Sequence, residues 1–144
     1  MSSHRILVPL YNTDPPFGAL EFALDAYPAA SVTALYVIDP FESDHAGLVP
    51  PLLGYWGEWY ETARQAADDA LGRATALADG RDGAVKTDVV HGRAPSAIAT
   101  YVDARGMDHV VIAPRRDSRV RRLLSGGVAL SVARTAPVPV TVVK

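Results

Sequence analysis

Short runs of apolar residues alternate with segments of helical periodicity along the whole of this chain. Residues 6–10 form a continuous apolar run, and residues 32–38 form a second one that is rich in β-branched side chains. Runs without polar alternation are typical of strands that are buried on both faces of a parallel sheet. The helical segments between them supply the crossovers that parallel strands require. The alternation therefore predicts an α/β fold, a doubly wound parallel sheet with helices on both faces.

The other elements follow from the same two periodicities. A first helix is predicted by the spacing of four apolar residues: Phe17, Leu20, Leu24 and Tyr27. Later helices are predicted at residues 54–78, 95–105 and 128–135, and later strands at residues 85–91, 109–113 and 138–143. Lys86 and Asp88 interrupt the third strand, which indicates an edge position. In the long helix, Trp56, Trp59 and Tyr60 fall on the apolar stripe, which predicts core or dimer-facing positions.

Length and charge exclude several classes of protein. The 144 residues predict one domain, 1–144, because a chain of this size buries roughly 70% of its unfolded surface. A net charge of −2 argues against a nucleic-acid or membrane partner, and the absence of cysteine excludes thiolate zinc sites and a cysteine nucleophile. No apolar run approaches the ~20 residues that span a bilayer. The chain enters its first strand without a signal peptide, so a cytoplasmic location is expected.

The C-terminal third carries the strongest indication of a binding site. Five arginines stand between Arg115 and Arg122, and the pair Gly126–Gly127 enters the predicted fourth helix. A helix N-terminus presents unpaired backbone N–H groups and positive potential, so this combination predicts an anion or phosphate site. Ligands of open α/β sheets bind beyond the strand ends where strand order reverses. A solvated arginine loop and close helix packing of the glycines are the alternative interpretations.

Five segments, in order and at matching spacing, closely resemble the universal stress protein family. They are residues 5–10 (Arg-Ile-Leu-Val-Pro-Leu), 35–39 (Leu-Tyr-Val-Ile-Asp), 91–98 (His-Gly-Arg-Ala-Pro-Ser-Ala-Ile), 121–128 (Arg-Arg-Leu-Leu-Ser-Gly-Gly-Val) and 136–143 (Ala-Pro-Val-Pro-Val-Thr-Val-Val). The resemblance covers nearly the whole chain. It implies a five-stranded parallel sheet in the order 3-2-1-4-5 and a homodimer paired through the last strand.

The family's nucleotide motif is incomplete in this chain. The motif is G-x-x-G followed nine residues later by G-[S/T], and its positions fall on Ala113, Arg116 and the pair Gly126–Gly127. Only Gly126 matches. Arg116 places a side chain where the backbone of ATP-binding members approaches the nucleotide, and Gly127 lacks the hydroxyl of serine or threonine. Family members that bind ATP commonly carry aspartate where this chain has Tyr11, a residue that would instead cover the crevice.

The candidate cofactor-binding residues combine this motif with the ends of the first two strands. They are Pro9, Tyr11, Asn12, Val37, Ala113, Arg115, Arg116, Gly126, Gly127 and Val128. No cofactor is required by the pattern, and the expected occupant is ATP or another phosphate-bearing ligand. The long connection at residues 39–54, rich in proline and glycine, is predicted to fold over the mouth of this crevice as a lid.

Other polar residues give weaker indications. His91 stands beside a glycine turn and fits a structural role better than a catalytic one. Three histidines lack metal-ligand spacing: His4, His45 and His109. Three aspartates fit either a hydrated magnesium ion or loop capping: Asp14, Asp39 and Asp117.

Catalytic motifs are missing from the sequence. It contains no Ser-His-Asp elbow and no P-loop lysine motif, so we expect a binding protein and not an enzyme. The resemblance implies a cytoplasmic, dimeric regulatory module of the stress response, with weak or absent ATP binding and an unidentified protein partner. The alternative is an adenine-nucleotide-binding stress protein with at most slow nucleotide hydrolysis.

Overall fold

The computed structural model describes residues 4–11, 17–40, 56–81, 83–114 and 127–143. Strands and helices alternate through these ranges, as the two periodicities predict. In chain order they are β1 (Arg5–Tyr11), α1 (Gly18–Ala26), β2 (Ser31–Ile38), α2 (Trp56–Asp79), β3 (Val85–His91), α3 (Ala94–Arg105), β4 (His109–Ile112), α4 (Val128–Thr135) and β5 (Val140–Val142). The predicted lid at residues 39–54 lies almost entirely outside the described residues and stays a prediction.

The strands form one parallel sheet in the order β3-β2-β1-β4-β5, which confirms the predicted fold class and the edge position of β3. β1 pairs with β2 along its full length, from Arg5–Ser31 to Tyr11–Val37. Among the described residues, its pairing with β4 is confined to Ile6–His109 and Leu7–Val110. The ladder between β1 and β4 therefore stops before the carboxyl ends of the two strands, which is where a ligand crevice is expected in this type of sheet.

Two hydrophobic cores lie on opposite faces of the sheet. On one face, Ile6, Val8 and Leu10 of β1 pack under α1 and α2. On the other face, Leu7 and Tyr11 pack under α3 and α4. Successive strand residues point to opposite faces, so a continuous apolar run is needed to fill both cores. Each fully buried aliphatic side chain contributes roughly 1.5–3 kcal/mol.

The element boundaries differ from the prediction mainly at the C-terminus. β5 was expected at residues 138–143 and spans Val140–Val142 in the structure. Pro139 precedes the strand because proline has no N–H to donate, yet its carbonyl still accepts a hydrogen bond from the Val110 N–H at 3.0 Å. Trp59 lies in the α1/α2 core, as expected for the stripe. No helix within the described part of the chain is long and apolar enough to cross a membrane.

Candidate ligand-binding crevice

The crevice lies where the strand order reverses. β2 and β3 follow β1 on one side of the sheet, and β4 and β5 lie on the other. The ladder between β1 and β4 stops before this point, with Tyr11 at the end of one strand and Ala113 just beyond the other. Open α/β sheets bind ligands at such a reversal. The geometry therefore favours this crevice as the principal site.

Tyr11 crosses this crevice. Its side chain is only 3% exposed and packs in the α3/α4 core. Its hydroxyl donates a hydrogen bond of 2.7 Å to the Ala113 carbonyl, so the phenol joins the ends of β1 and β4. A buried hydroxyl needs such a partner, because leaving it unpaired costs about 1–3 kcal/mol. Tyr11 thus fills the space between the ends of β1 and β4.

Four other candidate residues fall within the described part of the chain. Pro9 is buried within β1, and Val37 is fully buried in β2 beside Tyr11. Gly127 and Val128 are half-buried at the start of α4. The φ of Gly127 is −77°, which any residue adopts, so its backbone does not require glycine. The remaining candidates lie outside the described residues: Asn12, Arg115, Arg116 and Gly126.

Asp39 has a structural role that the sequence left open. Its side chain is buried at the end of β2, and its Oδ2 accepts a 2.9 Å hydrogen bond from the Ala94 N–H at the start of α3. A carboxylate at this end of a helix is also stabilised by the helix dipole. The capping interpretation is therefore confirmed for Asp39, whereas Asp14 and Asp117 lie outside the described residues. Across the described ranges, no cluster of three or more acidic or histidine side chains has the arrangement of a metal site.

Comparison with known proteins identifies the relatives of this chain. The sequence model of the universal stress protein family matches residues 2–144. The chain belongs to this family. It is 27% identical over 142 residues to universal stress protein MJ0531 of Methanocaldococcus jannaschii, covering 97% of this chain and 81% of that protein.

Two solved structures of universal stress proteins share the fold. The UspA protein from Lactobacillus plantarum has a TM-score of 0.78 at 21% identity, with 100% of both chains covered. The protein from Archaeoglobus fulgidus in complex with dAMP has a TM-score of 0.64 at 17% identity, also with 100% of both chains covered. At these identities, the likeness establishes the fold of this family member and leaves its ligand open.

In this family member, a second cluster of polar side chains lies at the ends of β2 and β3. The Tyr60 hydroxyl lies 2.6 Å from Nε2 of His91, and the two rings stack at 19° with centroids 5.1 Å apart. Tyr60 is 40% exposed, so of its two predicted positions the core does not apply, and a dimer-facing position stays a prediction. It sits at the edge of the helix stripe, beside the buried Trp59. His91 acts here as a partner of Tyr60, a contact that local spacing cannot reveal.

A third group lies at the opposite end of the sheet. The rings of His4, Tyr27 and His109 have centroids 5.7–6.0 Å apart. Nε2 of His109 is 2.8 Å from the Thr141 hydroxyl oxygen. Burial lowers the pKa of His109 below its ordinary value, and the nearby His4 lowers it further. Sequence reasoning treated these histidines as scattered, because 105 positions of chain separate two residues that only the parallel sheet brings together.

Proposed function

We propose that this chain is a dimeric binding and regulatory module of the stress response in which ATP binding is weak or absent. The observation that carries the proposal is the hydrogen bond between the Tyr11 hydroxyl and the Ala113 carbonyl. This bond lies in the crevice that the fold offers to a nucleotide. A nucleoside that enters the crevice must displace or accommodate a buried phenol.

The energetic consequence of that displacement can be bounded. Breaking one hydrogen bond removes roughly 0.5–1.5 kcal/mol, and exposing the buried Tyr11 ring costs about 1.5–3 kcal/mol more. Because about 1.4 kcal/mol corresponds to tenfold in affinity, the two effects together weaken binding by roughly one to three orders of magnitude. Family membership alone therefore does not imply tight ATP binding by this chain.

Phosphate affinity is supported separately by the sequence around α4. The five arginines of residues 115–122 and the pair Gly126–Gly127 precede this helix. Charge-assisted hydrogen bonds from arginine and helix N–H groups favour an anion. We therefore expect phosphate or sulfate to occupy the helix entrance without an adenosine in the crevice.

Dimerisation through the last strand is supported by the edge position of β5. Val142 is 40% exposed on this edge strand, and an apolar edge favours pairing with another chain. A two-fold symmetric homodimer with antiparallel β5 strands covers this edge. In this proposal the dimer acts in the cytoplasm through an unidentified protein partner, without catalysis and without contacting nucleic acid or membrane.

A second candidate function is adenine-nucleotide binding with at most slow hydrolysis. The observation in its favour is that the related Archaeoglobus fulgidus protein was solved in complex with dAMP. Under this alternative, Tyr11 rotates away from Ala113 when the nucleotide enters the crevice.

Calorimetric titration with ATP and magnesium tests the proposal. For the wild-type protein we expect a dissociation constant above about 1 μM. Tyr11→Phe removes the bond to Ala113 and frees the ring to move, so we expect ATP affinity to rise about two- to tenfold. Tyr101→Phe is the matched control, because it also removes one phenol hydrogen bond, to Asp88 at the sheet edge, and should leave affinity unchanged.

Two results would decide between the proposal and its alternative. Wild-type binding well below the micromolar range would overturn the proposal and favour the nucleotide-binding alternative. No heat with any nucleotide for wild type or for Tyr11→Phe, together with an intact dimer, would support the branch that works through a protein partner.

A further inference from the structure

A cavity of about 350 Å³ lies beyond the carboxyl ends of β2 and β3. The described residues of its lining are mostly apolar and aromatic: Ile38, Pro40, Trp59, Tyr60, His91 and Gly92. Neither Tyr11 nor Ala113, the described residues at the ends of β1 and β4, is among these lining residues. The cavity is thus separate from the crevice between β1 and β4.

We propose that this cavity binds an uncharged planar ligand of one or two fused aromatic rings. The volume falls in the range of roughly 300–1,000 Å³ that is typical of small-molecule sites. The lining includes an indole, a phenol and an imidazole ring, whose faces favour offset or edge-to-face contact with another ring. Among the described residues, this lining contains no carboxylate, lysine or arginine that could pair with an ionic ligand.

The polar groups of the lining set the orientation of the ligand. The Tyr60 hydroxyl and Nε2 of His91 are 2.6 Å apart at the exposed rim, and their rings already form a stacked pair. An aromatic ligand extends this stack, and a ring N–H or ring nitrogen can exchange hydrogen bonds with the same two groups. The aromatic faces of the lining and this hydrogen-bonding pair favour a heteroaromatic molecule over an aliphatic one.

The walls of the cavity are held in place by the fold. Gly92 has a φ of +134°, a conformation that residues with a Cβ rarely adopt, and its N–H donates a 3.0 Å hydrogen bond to the Ile38 carbonyl. This bond joins the ends of β3 and β2. Trp59 is 7% exposed and is held in the α1/α2 core. Because these walls are already ordered, binding of a ligand carries no entropy cost for ordering them.

The test is an NMR titration of the full chain with indole, a neutral bicyclic probe. We expect saturable shifts of the Gly92 amide and the Trp59 side chain, with a dissociation constant below about 10 mM. Tyr60→Leu removes the stacking ring and should weaken binding about fivefold, whereas Tyr60→Phe keeps the ring and should weaken it less. Phe22→Leu is the matched control: Phe22 is 39% exposed, close to the 40% of Tyr60, but belongs to α1 beside Tyr27.

Several outcomes would overturn the proposal. They are shifts centred on Ala113 and Gly127, equal binding of cyclohexanol and indole, or no saturation up to about 10 mM. Equal loss of affinity in the Tyr60→Leu and Phe22→Leu variants would also overturn it. Should Tyr60→Leu unfold, His91→Gln provides the same comparison, because it removes the imidazole face from the rim and leaves Tyr60 in place.

Discussion

At the scale of single residues, His109 shows how the sheet creates a titrating group. Its ring is half-buried at the amino end of β4, with Thr141 on the neighbouring strand and the rings of His4 and Tyr27 against it. Burial first, and then the charge on His4, lower the pKa of His109 below its ordinary value of 6.5. Protonation is therefore less favourable in the folded protein than in the unfolded chain.

The lowered pKa predicts how stability depends on pH. The unfolded chain binds the proton of His109 more tightly than the folded protein does. The contribution of His109 to stability is therefore fully present above about pH 6.5, and it is lost as the pH falls through the pKa of His109 in the folded protein. We expect the urea concentration at the unfolding midpoint to decrease as the pH is lowered from about 7.5 to about 5.5. His109→Gln should flatten this change, whereas Thr141→Val, which retains the imidazole, should preserve it. Identical slopes for His109→Gln and wild type would contradict the assignment.

At the scale of elements, α3 is delimited by contacts at both ends. Asp39 accepts a hydrogen bond from Ala94 at the N-terminus. At the C-terminus, Gly106 adopts a left-handed φ of +62°, and the Met107 N–H donates to the Val102 carbonyl at 3.1 Å. The left-handed cap is common where helices end in glycine. The N-terminal contact, by contrast, comes from β2 and ties the helix to the sheet.

Loss of the Asp39 carboxylate should therefore destabilise the whole domain. Asp39→Ala leaves the buried Ala94 N–H without this acceptor, and we expect a loss of about 1–3 kcal/mol in the free energy of unfolding. Urea denaturation at neutral pH measures the difference. Asp103→Ala is the control, since Asp103 is exposed on the same helix and should change stability by less than about 0.5 kcal/mol. Equal effects of the two substitutions would show that the cap contributes nothing.

At the scale of the whole molecule, the two edges of the sheet are chemically different. β3 carries Lys86 and Asp88, and charged side chains on an edge strand oppose pairing with another chain. β5 presents Val140, Thr141 and Val142 instead. The proposed dimer uses the apolar edge because desolvating it costs less than desolvating the charged one.

This difference between the edges makes the proposed assembly testable by sedimentation velocity. Val142→Lys places a charge on β5, and we expect the monomer–dimer equilibrium to shift by at least about tenfold toward monomer. Thr87→Lys makes a comparable change at an exposed position of β3 and should leave the equilibrium unchanged. A dimer that persists unaltered in Val142→Lys would rule out β5 as the interface.

The succession of elements could be read from the sequence because each one has a local cause. The run at residues 6–10 is continuous because it must fill two cores. The predicted bounds of α4 match Val128–Thr135 because prolines follow the helix closely. The strand order came from the resemblance to a family, and the structure confirms it. The position of Tyr11 at the end of β1 also followed from the pattern.

Contacts between distant residues were decided only by the tertiary structure. The partner of the Tyr11 hydroxyl lies 102 positions away at Ala113, and Asp39 reaches Ala94 across 55. The exposure of Tyr60 depends on how α2 lies on β3, because a residue at the edge of an apolar stripe can face either core or solvent. The periodicity of a sequence indicates which side of a helix or strand is apolar. Which side chains meet across the sheet depends on register and packing, which no local pattern contains.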